Sequence, residues 1–329
     1  MTFLANRARR AALFGGFAAL LALALPVQAA DYPSRPIMLV VAFPPGGPSD
    51  VLARIVGKKM EQLLGQPVVI ENKPGAGGNI AAEYVARAAP DGYTLLMGNN
   101  SILATNESLY KKLTYSPEKD FAPVTLIGTQ ANILVVNPAV PVHSLTELIE
   151  LCKAQPGKIN FASSGYGAAA HLAGELFKAE ARVDIVHVPY KGAAPALQDV
   201  IAGHDQMMFA TAASVVGHIK NAQVRALAVT TLKRTAILPD VPTMDEAGLK
   251  GFEASTWQGI GAPKNTPAEI VGKPNREINA ALADPKIKAR LANLGSAPAP
   301  MSPADFEKIM VAETAKWAKV IHEADIKLQ

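Results

Sequence analysis

The sequence predicts an α/β protein of two lobes, each built on a mostly parallel sheet flanked by helices. Apolar runs typical of strands alternate with amphipathic helical patterns through most of the chain, as expected of successive βα units. Two weakly polar segments, residues 121–137 and 252–262, are longer than a single strand needs. The 329-residue chain also exceeds the roughly 150 residues usual for one domain. We therefore expect two segments that cross between the lobes, a paired hinge and a cleft.

The first series of elements precedes the first crossing segment. In its first helix, Val51, Ile55 and Leu63 fall on one side, which is the spacing of an amphipathic helix. The predicted elements are, in order, strand 37–43, helix 50–64, strand 68–71, helix 79–88 and strand 93–97.

A second series follows between the two crossing segments. Its predicted elements are, in order, helix 145–154, strand 159–162, helix 168–179, strand 185–188, helix 194–202 and strand 224–229. After the return crossing, three helices begin near prolines, which fit a first helical turn, and these helices are expected to pack on the first lobe. They are predicted at 267–283, 285–294 and 303–324. The predicted domains are residues 30–132 with 255–329 for the first lobe and residues 133–254 for the second.

Residues 1–29 have the pattern of a secretory signal peptide. Three arginines precede an uncharged apolar run at residues 11–25 and the small-residue site Val27-Gln28-Ala29. We expect cleavage after Ala29, and a retained membrane anchor or a twin-arginine signal at Arg9-Arg10 are the alternatives. Because this segment holds three arginines and no acidic residue, its removal takes the formal charge from +4 to +1. The sequence thus predicts a near-neutral exported protein.

The composition excludes several classes of protein. With 49% hydrophobic residues and 18% charged residues the chain does not resemble a disordered protein. The single cysteine, Cys152, cannot form an internal disulfide, and the six histidines show no metal-ligand spacing. A nucleic-acid-binding protein requires clustered positive charge, and the positive charge of this chain is not clustered. We expect no metal, no cofactor and no nucleic-acid partner.

The loop after the first strand, residues 43–50, is rich in glycine and proline. Ligands of open α/β sheets bind beyond the carboxyl ends of the strands, where this loop lies. Gly46 and Gly47 allow close approach of a ligand to the backbone, and Ser49 or Asp50 can cap a helix whose first amides attract anions. A tight turn with a capped helix is an equally good interpretation of the loop alone.

A second loop, Ser163-Ser164-Gly165-Tyr166-Gly167, precedes the helix that carries His171. It offers two hydroxyls, backbone amides and a helix start, which suit a carboxylate. With the following alanines it also spells G-x-G-x-x-A, the pattern of a dinucleotide site, but Asp184 stands at the wrong end of the next strand to hold a ribose. Ser163 and Ser164 lack the preceding glycine of a Gly-x-Ser-x-Gly nucleophile, so a hydrolase has little support.

Short segments from Tyr32 to the C-terminus occur in the order found in one family of transport receptors. They are residues 43–47 (FPPGG), 71–79 (ENKPGAGGN), 90–95 (PDGYTL), 163–167 (SSGYG) with His171 and Leu172, 188–192 (VPYKG), 225–230 (RALAVT) and 239–243 (PDVPT). In these segments the chain resembles the extracytoplasmic solute receptors of tripartite tricarboxylate transporters, the Bug or TctC-like proteins.

The resemblance implies a type II periplasmic-binding-protein fold, the Venus flytrap, and a periplasmic receptor without catalysis. Such a receptor closes on a small organic acid, with one or two carboxylates and an aliphatic or aromatic body, and delivers it to a membrane permease. We expect a monomer. A ligand sensor for a two-component system and an exported hydrolase remain alternatives.

The candidate ligand-binding residues combine the two loops with the positions that the resemblance implies. They are Pro45, Gly46, Gly47, Ser49, Ser163, Ser164, Gly165, Gly167, His171, Tyr190, Gly192 and Thr211. Compared with many relatives, Pro48 and Ser49 replace glycine and threonine, Gln206 replaces a frequent aspartate, and Thr211 lies near a commonly acidic position. We therefore expect less negative charge at the cleft.

Overall fold

The computed structural model describes residues 32–326, and the elements below all belong to the compact unit that begins at Arg35. The predicted signal peptide lies outside the described residues. The strands are β1 (Ile37–Val41), β2 (Val68–Asn72), β3 (Thr94–Asn99), β4 (Phe121–Gln130), β5 (Asn132–Val136), β6 (Asn160–Ser163), β7 (Val186–Pro189), β8 (Met207–Thr211), β9 (Arg225–Val229), β10 (Thr256–Pro263) and β11 (Ser296–Pro298).

The helices alternate with these strands, and a 3₁₀ turn at Ala76–Gly78 and a π-helical turn at Ser101–Thr105 accompany them. The α-helices are α1 (Pro48–Leu64), α2 (Asn79–Ala86), α3 (Asn106–Leu109), α4 (Pro117–Asp120), α5 (Leu145–Ala154), α6 (Ala169–Ala181), α7 (Ala193–Ala202), α8 (Ala212–Lys220), α9 (Ala268–Ala283), α10 (Pro285–Asn293) and α11 (Pro303–Glu323).

The strands form two sheets, which confirms the two-lobed α/β class. The first sheet has the order β11-β4-β10-β3-β1-β2, and the second has the order β7-β6-β8-β5-β9. Among the strands of residues 32–326, parallel pairing joins β1 with β2 and β3, and β6 with β7 and β8. The remaining pairs are antiparallel, so both sheets are mixed where the sequence predicted mostly parallel ones. The reason is that β10 and the short β11 run against β1–β4 in the first sheet, and that β5 runs against its neighbours β8 and β9 in the second.

The chain crosses between the sheets where the sequence predicted. Strand β4 ends at Gln130 in the first sheet, and after Ala131 the chain enters β5 in the second. It returns to the first sheet at Thr256, the first residue of β10. The bounds of the two lobes remain a prediction, and the crossing strands give them a physical basis.

Each sheet carries its own hydrophobic core. The core of the first sheet includes Leu96, Leu126 and Phe306, and the core of the second sheet includes Phe161 and Phe209. These apolar side chains leave water on folding, which is the main stabilising contribution.

Helix α11 differs from the expectation that the C-terminal helices pack on the first lobe. Its first half places Phe306 and Met310 in the core of the first sheet, and its second half places Trp317 and Ile321 in the core of the second. A helix of 21 residues spans about 30 Å, at a rise of about 1.5 Å per residue, which is long enough to reach both cores.

Candidate ligand-binding site

Three loops of the second sheet leave it at one edge. Because β6 is parallel to both β7 and β8, their carboxyl ends lie together, and the loops into α6, α7 and α8 start side by side. The amide of Tyr190 donates to the carbonyl of Ser163 at 2.9 Å, and that of Gly192 donates to the carbonyl of Ser164 at 3.2 Å. These bonds fix the second loop, Ser163–Gly167, against the loop before α7.

The helices at this edge begin without side-chain caps. Their N-cap residues are Ala168, Gly192 and Thr211, and none of the three accepts a hydrogen bond from the first turn through its side chain. Elsewhere, Ser144 caps α5 and Ser302 caps α11 through their hydroxyls. The backbone amides in the first turns of α6, α7 and α8 are therefore not bonded to cap side chains. Their partial positive charge is available to attract an anion.

The first loop is held by a buried carboxylate. Asp50 accepts the amide of Gly46 at 2.9 Å, Arg54 at 2.9 Å and the amide group of Asn72 at 3.0 Å. The hydrogen bond from Arg54 is the main cause that lowers the pKa of Asp50 to about 2, against the opposing effect of burial. The backbone of Gly46 has a φ of +83°, so this turn requires glycine.

Ser49 faces the interior and not the cleft. Its hydroxyl donates to Oε1 of Gln258 on β10 at 3.0 Å, and both side chains are buried. The predicted residue Ser49 therefore ties α1 to the strand that returns from the second sheet. Pro45, at the tip of the loop, is exposed.

A cavity of about 170 Å³ lies between the first loop and the start of α8. Gly46 and Thr211, which are both predicted site residues, line it from opposite sheets. Its other lining residues are Pro48, Val51, Gln130, Ala212, Ala213, Leu294 and Gly295. The lining has no charged side chain. Residues of the second loop border the same sheet edge but do not line this cavity.

Two stacked histidines lie under the second loop. The rings of His171 and His187 are parallel to within 15° with centroids 3.8 Å apart, and Phe161 stacks on His187 at 4.9 Å. Nδ1 of His171 accepts the amide of Gly167 at 3.0 Å, and Nε2 of His187 lies 2.6 Å from Oγ of Ser163. Burial, with a smaller contribution from neighbouring charges, lowers the pKa of His171 to about 3 and that of His187 to about 4. Both rings are therefore neutral at ordinary pH.

Two further predicted residues, Tyr190 and Thr211, form side-chain hydrogen bonds within the second lobe. Tyr190 places its hydroxyl 2.6 Å from Oδ2 of Asp199 and 2.7 Å from Oδ2 of Asp205, and burial followed by these carboxylates raises its pKa. Thr211 bonds Ser214 at 2.9 Å at the rim of the cavity. Sequence reasoning singled out neither Gln130, which lines the cavity, nor Gln258, which bonds Ser49, because nothing in the sequence near an isolated glutamine indicates its partners in the fold.

The geometry gives Ser163 no role as a nucleophile, since its side chain is completely buried and its hydroxyl is engaged by His187 and Gly165. Among residues 32–326, no cluster of three or more His, Cys, Asp or Glu side chains is suited to a metal ion. In the same part of the chain, no helix is both long and apolar enough to span a bilayer.

Two α/β lobes joined by crossing strands, with a neutral cavity between uncapped helix starts, define a periplasmic-type solute-binding receptor. The family model described as "Tripartite tricarboxylate transporter family receptor" matches residues 52–326. The chain therefore belongs to the tripartite tricarboxylate transporter receptor family, the TctC or Bug proteins. Family and structural neighbours are receptors, so the prediction of a binding protein and not an enzyme is confirmed.

Individual relatives cover almost the whole chain. Protein BugT of Bordetella pertussis is 39% identical over 325 residues, which are 98% of this chain and 100% of that protein. The structure of Rpa4515 from R. palustris with adipate has a TM-score of 0.76 and 39% identity, and covers 91% of this chain and 100% of that one. The structure of MatC from Rhodopseudomonas palustris with bound malate has a TM-score of 0.72 and 34% identity, and covers 88% of this chain and 100% of that one.

Proposed function

We propose that this protein is a periplasmic receptor that captures a small organic acid between its two lobes and delivers it to the permease of a tripartite tricarboxylate transporter. The observation that carries the proposal is the cavity between Gly46 of the first sheet and Thr211 of the second, next to uncapped helix starts. The relatives solved with adipate and with malate support a ligand with two carboxylates.

The attraction for an anion comes from local dipoles and not from net charge. The cavity has no arginine or lysine in its lining, and the ionised Asp50 behind the first loop is paired with Arg54 at 2.9 Å. The starts of α1 and α8 line the cavity, and the starts of α6 and α7 lie beside that of α8. Each of these helix starts contributes partial positive charge near its first-turn amides. A carboxylate at each end of a short ligand can then be bound by a different lobe.

Closure follows from the division of the site between lobes. The proposed lobes are residues 30–132 with 255–329, and residues 133–254. A ligand that contacts both lobes only when they are together has a higher affinity for the closed form, and this difference shifts the population toward closure. The closed surface is then what the permease recognises.

Isothermal titration calorimetry on the full chain tests the proposal. The panel contains adipate, malate, an aromatic acid, a monocarboxylate and the neutral diamide of adipic acid. We expect at least one acid to bind and the diamide not to bind. Thr211→Val, which removes a hydroxyl at the cavity rim, is expected to weaken binding, and Thr235→Val, on the loop after β9 and outside the cavity lining, serves as its control. Binding of neutral amides with no binding of acids would contradict the proposal.

Export and oligomeric state are tested separately. The proposal expects the mature protein in the periplasmic fraction with a new N-terminus after Ala29, and a monomer by light scattering. Mass spectrometry of the purified protein gives the cleavage position directly. An intact N-terminus in the membrane fraction would favour the retained anchor.

A further inference from the structure

The second loop is hydrogen-bonded to two histidines beneath it, the buried His171 and the half-buried His187. The amide of Gly167 donates to Nδ1 of His171, and Ser163 bonds His187, so both ends of the loop rest on imidazole nitrogens. The ring of Tyr166, which lies between Ser163 and Gly167 in sequence, is nearly perpendicular to both imidazoles, with ring centroids 5.5 Å from that of His171 and 5.1 Å from that of His187. The stacked rings thus form the floor of the loop.

The hydrogen bonds assign the tautomer of His171. Its Nδ1 accepts the amide hydrogen of Gly167 and so carries no hydrogen of its own. The neutral ring therefore has its hydrogen on Nε2, which points toward Oε1 of Glu175 at 3.8 Å. Glu175 is itself paired with Lys178 at 3.1 Å on the same helix. Protonation of His171 at Nδ1 would place two hydrogens against each other and break the contact with Gly167.

The tautomer of His187 follows from the hydrogen bonds that the Ser163 hydroxyl can donate and accept. Oγ of Ser163 accepts the amide of Gly165 at 3.1 Å and also lies 3.1 Å from the carbonyl of Gly165. If Nε2–H of His187 donates to Oγ, the hydroxyl hydrogen is free to donate to that carbonyl, and every hydrogen of the network has an acceptor. Nδ1 of His187 is buried without a partner among the described residues. A hydrogen on Nδ1 would be a buried donor without an acceptor, which is rarer in proteins than an unpaired acceptor.

We propose that His171 and His187 are positioning residues: two neutral, stacked imidazoles, each with its hydrogen on Nε2, fix the loop so that Ser164 and the start of α6 face the carboxylate. In this arrangement the Ser163 hydroxyl and the amide of Gly167 form hydrogen bonds within the protein, so they are not available to bind the ligand. Ser164 keeps a half-buried side chain at the sheet edge. The statement about the ligand rests on the proposed function, and the statement about the loop does not.

Paired substitutions separate positioning from simple packing. Oδ1 of Asn can accept the Gly167 amide as Nδ1 of His171 does, and Nε2 of Gln can donate to Ser163 as Nε2 of His187 does. His171→Leu and His187→Leu keep apolar volume but remove the bonds. The conservative variants are therefore His171→Asn and His187→Gln, and the exposed His322→Leu is the control for loss of a histidine.

Hydrogen exchange and nitrogen NMR on the full chain without ligand give the first readout. We expect the Gly167 amide to exchange at least roughly tenfold faster in His171→Leu, the effect of losing about one hydrogen bond, and near the wild-type rate in His171→Asn. Two-dimensional ¹H–¹⁵N spectra should show the Nε2–H form of both rings. Unchanged protection of Gly167 in His171→Leu, or a hydrogen on Nδ1 of His187, would overturn the proposal.

Calorimetry with adipate gives the second readout. The dissociation constant should rise roughly tenfold in His187→Leu and return to within about threefold of wild type in His187→Gln. Ser164→Ala should weaken binding by lost contact with no change in Gly167 exchange. If neither the wild type nor any variant binds any carboxylate of the panel, the proposed function fails, while the exchange and NMR results still decide whether the histidines set the loop. Equal losses of affinity in His187→Leu and His187→Gln would contradict the proposal, because they would show that the imidazole acts through its packing and not through its hydrogen bond to Ser163.

Discussion

Trp257 and Trp317 donate their indole N–H groups to the same oxygen, Oε2 of Glu313, at 3.3 and 2.9 Å. Trp257 lies on β10 in the core of the first sheet, and Trp317 lies in the core of the second. Oε1 of Glu313 pairs with Lys316, whose ammonium also donates to the carbonyl of Glu253 on the return crossing. One carboxylate thus links both cores to a crossing segment.

Replacement of Glu313 by glutamine is expected to destabilise the fold. The amide keeps one acceptor oxygen, but its NH₂ group faces Lys316 and the ion pair is lost. We expect the free energy of unfolding to fall by about 2 kcal/mol, because a half-buried charged acceptor is removed from its donors. Urea unfolding followed by tryptophan fluorescence measures the loss. Glu307→Gln, on the same helix but exposed, should change stability by less than about 0.5 kcal/mol, and equal losses in the two variants would contradict this account.

Gly46 and Gly65 allow a matched test of the first loop. Both glycines have a positive φ, +83° and +70°, and at neither does any atom lie within 4 Å of the place that an added Cβ would take. Alanine at either site is expected to cost about 1 kcal/mol of stability through the left-handed backbone alone. Only Gly46 lines the cavity, so only Gly46→Ala should also weaken carboxylate binding, by roughly tenfold if about 1.4 kcal/mol is lost. Equal affinities in the two variants would place the ligand elsewhere.

Much of the fold was predictable because apolar periodicity is a local property of the sequence. Helix α5 has the predicted bounds, and the long run 121–137 forms two strands on either side of Ala131, as expected. Strand β8 and helix α8 were missed, since Met207–Thr211 enters the helix at Ala212 with no glycine, proline or polar turn between them. The mixed pairing of the sheets was also missed, because strand direction depends on the partner and not on the strand itself.

The sequence predicted which loops form the candidate site but not which of their side chains are hydrogen-bonded within the protein. Glycine and serine content drew attention to residues 43–50 and 163–167. Which hydroxyls are already engaged depends on partners far along the chain: Ser49 bonds Gln258, 209 positions away, and Ser163 bonds His187, 24 positions away. Sequence spacing gives no sign of such pairs, so the sequence does not show that the hydroxyls of Ser49 and Ser163 already have partners within the protein.

Gly174 on α6 is expected to tolerate no side chain. A Cβ there would overlap the ring of Phe161, which stacks on His187. Gly174→Ala should lower the free energy of unfolding by about 1–3 kcal/mol, the usual cost of overpacking a core. It should also disturb the histidine stack and speed exchange at the Gly167 amide. Gly217→Ala, on α8 with open space around its Cβ position, is the control and should be neutral or stabilising. A wild-type melting curve for Gly174→Ala would contradict the packing described.

The stacked histidines, His171 and His187, should make stability depend on pH between about 7 and 5. Burial holds the pKa of His171 at about 3 and that of His187 at about 4, against 6.5 for the free side chain. The unfolded chain therefore binds protons in this range that the folded chain does not bind. Stability is full above pH 6.5 and falls as the pH drops toward the two folded-state values, by up to roughly 1.4 kcal/mol per pH unit for each histidine.

Urea midpoints measured across this range test the sign and the source of the effect. The pKa of Asp50 is lowered from 3.8 to about 2, so its own contribution is lost only at lower pH and does not overlap. The double variant His171→Asn/His187→Gln has no imidazole at either site and should show a flatter profile. His322→Leu removes an exposed histidine and should keep the wild-type slope. A double variant as pH-sensitive as the wild type would show that other groups cause the loss, since a titration cannot persist after its imidazoles are removed.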